Sequence, residues 1–544
     1  MTEQAGIDFV YYGNPSPEHY MIEQNGGGVA LFDYDCDGNL DLFFANGSHF
    51  LRPAKQAQAS NRLYRSGGSF QYEDMTEASG LEAFGFGMGC AAGDYDNDGF
   101  VDLFVAYYGR NRLWTNNGDG TFTEVTDETG VGDELWGASA AFADLDGDGN
   151  LDLYVVNYVE WSVTDPPCFK LGKVQASCSP MPRKAQADLL YQNLGNGQFE
   201  EIGTAAGIAL SEDGKGLAVE IVDLNSDGQL DVYVANDTCR NFLFYNQGEL
   251  RFREEGIATG VAVSEDGKAG SSMGIACADS DGDGRFDLSV TNFESQVNDF
   301  FSNIGEAGFF PTNAELGVDL VSRPFLGFGI VLTDFDLDGW PDMFVTNGHI
   351  WDLTSADEKH KYEMTPSLLR NEDAKQFRDV AEQAGSYFNQ TWVGRAVAFG
   401  DLDNDGDSDL VVTHLKKPPA LLRNDSDFAG GSLSLKLIGT RSARQPLGAT
   451  VELTIGEKHT VTHVPSGGSF QVSHDDRIVI ATAASDTISE VRVHWPGGAV
   501  ETWTDVTSDG LSVTLIEGTG RQNAVAKKEN NMKRKKTQRN ISLR

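Results

Sequence analysis

Aspartates recur in this 544-residue chain at one spacing: Asp, any residue, Asp or Asn, any residue, Asp, Gly, any two residues, Asp. The first six copies supply Asp33, Asp35, Asp37 and Asp41; Asp94, Asp96, Asp98 and Asp102; Asp144, Asp146, Asp148 and Asp152; Asp223, Asn225, Asp227 and Asp231; Asp279, Asp281, Asp283 and Asp287; and Asp334, Asp336, Asp338 and Asp342. The last copy supplies Asp401, Asp403, Asp405 and Asp409. Carboxylates ~4 Å apart repel by about 4 kcal/mol per pair at moderate dielectric, so such a cluster calls for a hard cation. Gly at position six makes the sharp bend, and the carbonyl of position seven adds an oxygen. Position seven is Asn39, Phe100, Asn150, Gln229, Arg285, Trp340 and Asp407 in turn, and each is expected to offer its carbonyl only, Asp407 included. Six or seven oxygens at flexible distances suit Ca²⁺ better than Mg²⁺, which keeps its waters. Up to seven Ca²⁺ ions are expected, most weakly held at Asp223, where Asn225 replaces an acid. An EF-hand is rejected, because it needs Glu at position twelve and flanking helices. Here position twelve is Phe44, Val105, Val155, Val234, Val290, Val345 and Val412.

Short apolar runs of strand character must position these loops. The second unit predicts strands over Met88–Gly93, Val101–Ala106, Arg112–Thr115 and Thr121–Val125, with Asn117-Gly118-Asp119-Gly120 as a hairpin turn. Four antiparallel strands per unit, repeated around seven loops, read as an all-β fold, a seven-bladed β-propeller. A recurring W-D dipeptide is lacking, and the units exceed WD40 length. Thr2-Glu3-Gln4-Ala5-Gly6-Ile7 matches the tail of a unit without its strand, and the last unit stops at Leu421-Leu422-Arg423-Asn424. The N-terminus is therefore expected to supply the outer strand of the last blade and close the ring, with the biological start lying upstream of Met1. The propeller is assigned to 1–427. Alternating runs at Leu433–Ile438, Thr450–Ile455, Thr460–Val464, Ile478–Ala481, Val491–Trp495 and Leu511–Ile516 predict a separate small β-sandwich over 430–520. The basic polar tail, 521–544, is expected to be disordered.

Composition narrows the function. The net charge is −41, with 82 acidic against 41 basic residues, which argues against a nucleic-acid partner, although the acidic loops account for much of the excess. No run approaches transmembrane length, and no signal peptide is visible. Among six cysteines, Cys168 and Cys178 flank a Pro-rich insertion and form the best disulfide pair, which stabilises by roughly 3 kcal/mol for a loop of this size. Cys36, Cys90, Cys239 and Cys277 are read as small buried residues. No G-x-S-x-G elbow, H-E-x-x-H or P-loop is read in the chain. His49, His349 and His414, just past second strands, are read as structural.

The loops crowd one face of the ring, so residues opening the first strands lie at the other. Phe84, Phe86, Trp136, Phe325, Phe328 and Trp392 sit there, with Phe86, Trp136, Phe328 and Trp392 the candidates for ligand contact. Exposed, they would suit a sugar or protein ligand; the slightly favoured alternative is packing between blades. Asn46, Asn157, Asn236, Asn292 and Asn347 recur five residues past the final loop Asp and are read as caps on the second strand.

These loops resemble the FG-GAP (VCBS) repeats of integrin α-subunit propellers. The segment Gly439–Glu452, the run Val491–Gly498 and Leu515-Ile516-Glu517 resemble an ASPIC/UnbV domain, and the combination resembles the cartilage acidic protein family and its bacterial relatives. The resemblance implies a calcium propeller outside the cytoplasm, secreted or extracytoplasmic, with adhesion or binding of a protein or glycan as its role. One departure is Ala443–Ala449, where the family more often reads Gly-Ala-Arg. The chain is thus read as a non-enzymatic binding module. The alternative is an enzyme of carbohydrate or secondary metabolism built on the same scaffold.

Overall fold

A computed structural model of the chain describes every residue except 1, 3, 14–15, 50–58, 211–213, 358, 427–430, 457, 483–487, 507–511 and 523–544. Each acidic loop joins the first two strands of an antiparallel sheet, as β-branched and aromatic runs of this length dictate. In the second sheet Phe86–Gly93, Asp102–Tyr108, Arg112–Asn116 and Phe122–Glu124 pair in chain order. The other first strands are Val29–Phe32, Gly137–Ala143, Gly216–Val222, Ile275–Ala278, Gly327–Thr333 and Gly394–Gly400. They pack side by side in sequence, and Gly394–Gly400 returns to Val29–Phe32, closing a β-propeller ring of seven sheets among the described residues. A short helical turn follows most outer strands. Four of these turns end at a left-handed glycine: Gly80, Gly130, Gly207 and Gly260.

The ring seam lies between the seventh and first sheets. The seventh sheet has three strands, Gly394–Gly400, Asp409–His414 and Ala420–Leu422. The N-terminal segment adds one parallel bridge, Tyr11 to Leu415, rather than a fourth strand. Its first residues form a turn, with Ala5 N donating to Thr2 O at 3.1 Å and Thr2 Oγ1 to Pro419 O at 2.7 Å, like the turns that follow the outer strands of other sheets. They seal the seam with side chains: Ala5, Ile7, Phe9 and Tyr11 pack among residues of the first and seventh sheets.

The C-terminal domain has two sheets. One pairs Gly431–Ile438 with Ile478–Thr482 and Ser512–Ile516; the other runs Lys458–His463, Thr450–Ile455, Ile488–His494, Val500–Val506, Arg521–Gln522. Leu435, Val451, Leu453, Val491, Val493 and Trp495 form the buried core. The expected tail boundary shifts, because Arg521 and Gln522 pair with Thr502 and Glu501; residues 523–544 lie outside the described residues.

This domain is not a free appendage. It sits on the acidic-loop face, and its segment Pro465–Ser473 enters the ring. Ser466 O accepts from Ile221 N (3.0 Å), Gly468 N donates to Val219 O (2.7 Å), and Ser469 exchanges backbone bonds with Ile275. Val472–Ser473 then pairs in parallel with the first strand of the first sheet. Gly467 (φ +88°) is required here, since a Cβ would lie 2.2 Å from Val219 O. Phe470 is fully buried at the centre, among Met88, Leu217, Met273 and the first-strand aromatics.

Candidate metal centres

The same hydrogen bonds recur in the acidic loops, and they divide the aspartates into two kinds. The position-one carboxylate turns the loop: in the first copy Asp33 accepts from Asp37 N and Gly38 N, both at 3.0 Å. Asp144, Asp223, Asp279, Asp334 and Asp401 repeat both bonds, and Asp94 keeps the glycine bond. The position-five carboxylate accepts from the N–H of position seven in every copy.

The position-nine aspartate staples the blade. One oxygen accepts from the N–H of position two: Tyr34, Tyr95, Leu145, Leu224, Ser280, Phe335 or Leu402. The other accepts from the residue at or just past the end of the third strand. That residue is Ser66 in the first sheet and Asn116, Asn193, Asn246, Asn303, Asn371 or Asn424 in the others. Each of these asparagines sends its Nδ2 to the position-two carbonyl of the preceding loop, as Asn116 does to Tyr34 O at 2.8 Å. The asparagines tie neighbouring blades together. Sequence reasoning missed them, although Asn recurs in six of the seven units. The series it did single out caps the second strand: the Nδ2 groups of Asn46, Asn157, Asn236, Asn292 and Asn347 donate to Ser60, Ala187, Arg240, Val297 and Thr365 carbonyls.

Carboxylate oxygens converge inside the loops. Those of Asp33/Asp35/Asp37, Asp94/Asp96/Asp102, Asp144/Asp146/Asp148 and Asp279/Asp281/Asp283 each lie within 4.8 Å of one another. Buried oxygens of Asp35, Asp94, Asp336 and Asp403 accept no hydrogen bond. Burial chiefly, with neighbouring carboxylates adding, pushes Asp94, Asp144 and Asp334 up to about 7. Asp41 and Asp342 rise to about 8 and Asp102 to about 9 for the same leading reason. Such a set needs a proton or a cation, and its all-oxygen character fits Ca²⁺.

At position seven the side chains other than Asp407 offer no carboxylate to the loop. Asn39 and Asn150 donate to their own loop's position-five carboxylate, Arg285 pairs with Asp283, and Phe100 lies against Gly118. Asp407, expected to offer its carbonyl alone, differs from the other six in bringing a carboxylate to the loop. Its carboxylate is buried beside Asp401, Asp403 and Asp405 and rises to about 8, with one oxygen unpaired. The last loop therefore holds five clustered carboxylates, not four.

The C-terminal domain touches these loops directly. Asp94 N donates to Gln445 Oε1 (3.1 Å), Arg444 N to Asn97 Oδ1 (2.8 Å), and Val461 N to Asp279 Oδ2 (3.2 Å). Lys458 donates to Gly339 O and lies 3.9 Å from the Trp340 ring centre. Arg477, paired with Asp475, reaches Asn404 Oδ1 and Asp401 O at 2.6 and 2.8 Å.

The opposite rim is closed where exposed aromatics were the ligand reading. Phe86, Trp136 and Phe328 are buried around Phe470, because Pro465–Ser473 fills the ring centre and Trp161 covers Trp136 (ring centres 5.8 Å apart) from outside. Of the four ligand candidates Trp392 alone stays partly exposed, stacked on His414 at 4.6 Å; Phe84 and Phe325 are partly exposed as well. Cys168 and Cys178 form a disulfide at the hairpin of Cys168–Lys170 with Val174–Ala176. Cys90 and Cys277 are buried, but Cys36 is exposed, because it occupies the outward position four of its loop at φ +58°.

Other clusters reduce to structure. Burial holds His349 down at about 3 and His414 at about 4. His349, near Glu294 and His360, is one of a possible metal-holding trio. Its Nδ1 accepts from Trp351 N, so Nε2 carries the proton that faces Glu294 and offers no lone pair. The letters of a nucleophile elbow occur at Gly270-Ser271-Ser272-Met273-Gly274. They precede a strand rather than joining strand to helix, and Ser272 is fully buried on Asn292 Oδ1.

Ring, acidic loops and β-sandwich cap define a propeller protein of the acidic-loop repeat class. An FG-GAP-like repeat model matches residues 33–105, 94–155, 183–234, 223–290 and 334–412, and an ASPIC and UnbV model matches 439–522. The chain belongs to the family of FG-GAP-repeat proteins carrying an ASPIC and UnbV domain. Cartilage acidic protein 1 of Mus musculus is 24% identical over 305 residues, covering 55% of this chain and 44% of that protein. The Homo sapiens protein of that name gives 24% over 305 residues, 55% and 43%. The matched segment thus spans less than half of those relatives. Among solved structures, an Agrocybe aegerita lectin described as recognising non-reducing terminal N-acetylglucosamine covers 64% of this chain and 79% of its own, at 15% identity and TM-score 0.37. BBS1N in complex with ARL6DN, soaked with lead, covers 76% and 95%, at 8% identity and TM-score 0.40.

Proposed function

We propose that this protein is a calcium-dependent, non-enzymatic binding module acting outside the cytoplasm, with a protein or glycan as its ligand. The observation that carries the calcium reading is the set of buried, unpaired carboxylate oxygens that converge in the loops. Positions one, three, five and nine, with the position-seven carbonyl, would hold each ion. The bound cation supplies charge neutralisation and cross-links the loop. The chain itself shapes the site: backbone N–H groups orient positions one and five, and the position-nine carboxylate keeps its staple while its remaining lone pairs face the loop. Because Asp94, Asp279 and the Asp401 loop also meet the C-terminal domain, the ions stiffen the floor on which that domain rests.

The extracytoplasmic reading is supported by the Cys168–Cys178 disulfide. Calcium sites of the 10⁻⁴–10⁻³ M class also fill only outside cells. No helix among the described residues is long and apolar enough to cross a membrane. A protein or glycan ligand is supported by the family resemblance and by the part-exposed Trp392 on the rim away from the cap. The test is scanning calorimetry with millimolar calcium and with chelator. Chelation is expected to lower the melting temperature by more than about 10 °C, as a ligand-linked fold requires; an unchanged melting curve defeats the calcium reading. Glycan and protein-ligand arrays, read with and without chelator, then identify the ligand.

A further inference from the structure

The repeat supplies its own control for one residue. Three positions before each loop, the first strand carries Ala30, Ala91, Ala141, Ala276, Val331 and Ala398 in six sheets. In the fourth sheet this position is Glu220. Its residue is only 3% exposed, and an ionised side chain is not left in such a place without a partner or a task. One oxygen, Oε1, meets His463 Nε2 of the C-terminal domain at 3.3 Å. The other, Oε2, accepts no hydrogen bond among the described residues. It borders a cavity of about 720 Å³ between ring and cap, a size suited to an organic ligand.

At Gly468 the cavity wall sets one acceptor beside one donor. His474 lines it too, and burial keeps this imidazole neutral, at about 3. Its Nδ1 accepts from Phe399 N at 3.2 Å, so the proton sits on Nε2. Oε2 of Glu220 and Nε2 of His474 converge on Gly468: a Cβ there would lie 2.7 Å from the first and 3.5 Å from the second. The missing side chain leaves a notch with an acceptor on one side and a donor on the other. A hydroxyl satisfies both; an ammonium cannot accept, and a carboxylate faces a carboxylate. The remaining wall is mixed: Ile330, Leu453 and Ile480 are apolar, while Lys458 and Arg477 also line it but are engaged with Gly339 O and Asp475, and the sixth acidic loop borders it. A purely structural Glu220–His463 pair would account for Oε1 but leaves Oε2 at the cavity without a partner among the described residues.

The geometry points to a binding site for an apolar molecule carrying a hydroxyl group, held between the fourth sheet and the C-terminal domain, with its hydroxyl donating to Glu220 and accepting from His474. The test uses 1-octanol, octanoate and octylamine as probes on the full chain at saturating calcium and high salt, by saturation-transfer NMR and calorimetry. Saturating calcium keeps an unfilled loop from mimicking failure. 1-Octanol is expected to bind at least roughly tenfold more tightly than octanoate, the worth of one buried hydrogen bond or more. Glu220→Gln is expected to shrink that ratio towards one, and Ile480→Trp, which fills the wall, to remove binding. A melting curve confirms that each variant folds. Absent binding of 1-octanol, equal binding of octanol and octanoate by the unaltered protein, or a folded Glu220→Gln with an undiminished ratio overturns the proposal. Tighter binding of octylamine than octanol reassigns the site to amines and overturns it as well.

Discussion

The two rims of the ring are built on different rules. On the acidic rim one nine-residue loop is repeated with the same backbone bonds to its position-nine carboxylate, and the neighbouring units are laced together by Asn116 and its equivalents. On the other rim the connections share little. The link from Asp102–Tyr108 to Arg112–Asn116 is a tight turn, whereas that from Asp152–Asn157 to Leu189–Asn193 carries the disulfide hairpin. Blade geometry is set where the chain repeats, so the opposite rim is free to vary. The segment Pro465–Ser473 joins the two, since it leaves the cap on the acidic side and buries Phe470 among aromatics at the start of the first strands.

That contrast can be broken most severely at its bridge. Phe470→Ala is expected to destabilise the protein by about 3–5 kcal/mol, the cost of emptying a buried aromatic site, and to loosen the cap from the ring. Denaturant unfolding and limited proteolysis near residue 470 read both effects. A loss under about 1 kcal/mol would mean that the segment does not occupy the ring centre.

A second experiment separates the two kinds of aspartate on the acidic rim. Asp102→Ala leaves the buried N–H groups of Tyr95 and Asn116 without their acceptor. It is expected to cost about 2–4 kcal/mol with chelator present, at about 1–3 kcal/mol for each group left unpaired. Asp96→Ala is expected to cost little in chelator and to lose stability only relative to the calcium-loaded protein. Equal losses by the two variants in chelator would erase the division between staple and ligand.

The smallest effect belongs to the irregular rim. His414 donates through Nδ1 to Pro418 O and accepts Tyr387 OH at Nε2, as a neutral ring. Its folded pKa, about 4, lies below the ordinary value of 6.5. The unfolded chain therefore binds the proton more tightly, so this contribution is full above about pH 6.5 and is lost as pH falls towards 4. At pH 5 the loss is on the order of 1–2 kcal/mol. His414→Gln, compared with the unaltered protein by urea unfolding between pH 7 and 5, is expected to flatten that part of the slope. An unchanged slope places the acid sensitivity elsewhere.

Much of this was legible in the chain. The strands of the second unit lie within two residues of their expected bounds, because alternation and the loop's own Gly and Asp mark their ends. In the C-terminal domain Thr450–Ile455 is reproduced, whereas Val500–Val506 was missed; its Glu, Thr and Asp dilute the apolar signal. The asparagine lacing was visible as a recurrence but not as a contact, since its acceptors lie some 80 to 100 residues upstream. Phe86, Trp136 and Phe328 were placed on the correct strands, yet their burial depends on a segment more than 100 residues beyond the last of them.

By itself the amino-acid order determined the repeating unit, the ring of sheets and the oxygen-rich loops, because these rest on short-range periodicity and on acids within nine residues of each other. Tertiary structure alone decided that the C-terminal domain fills the ring centre and that Glu220 faces a cavity, since both arise where segments hundreds of residues apart meet and local propensity carries no record of that meeting.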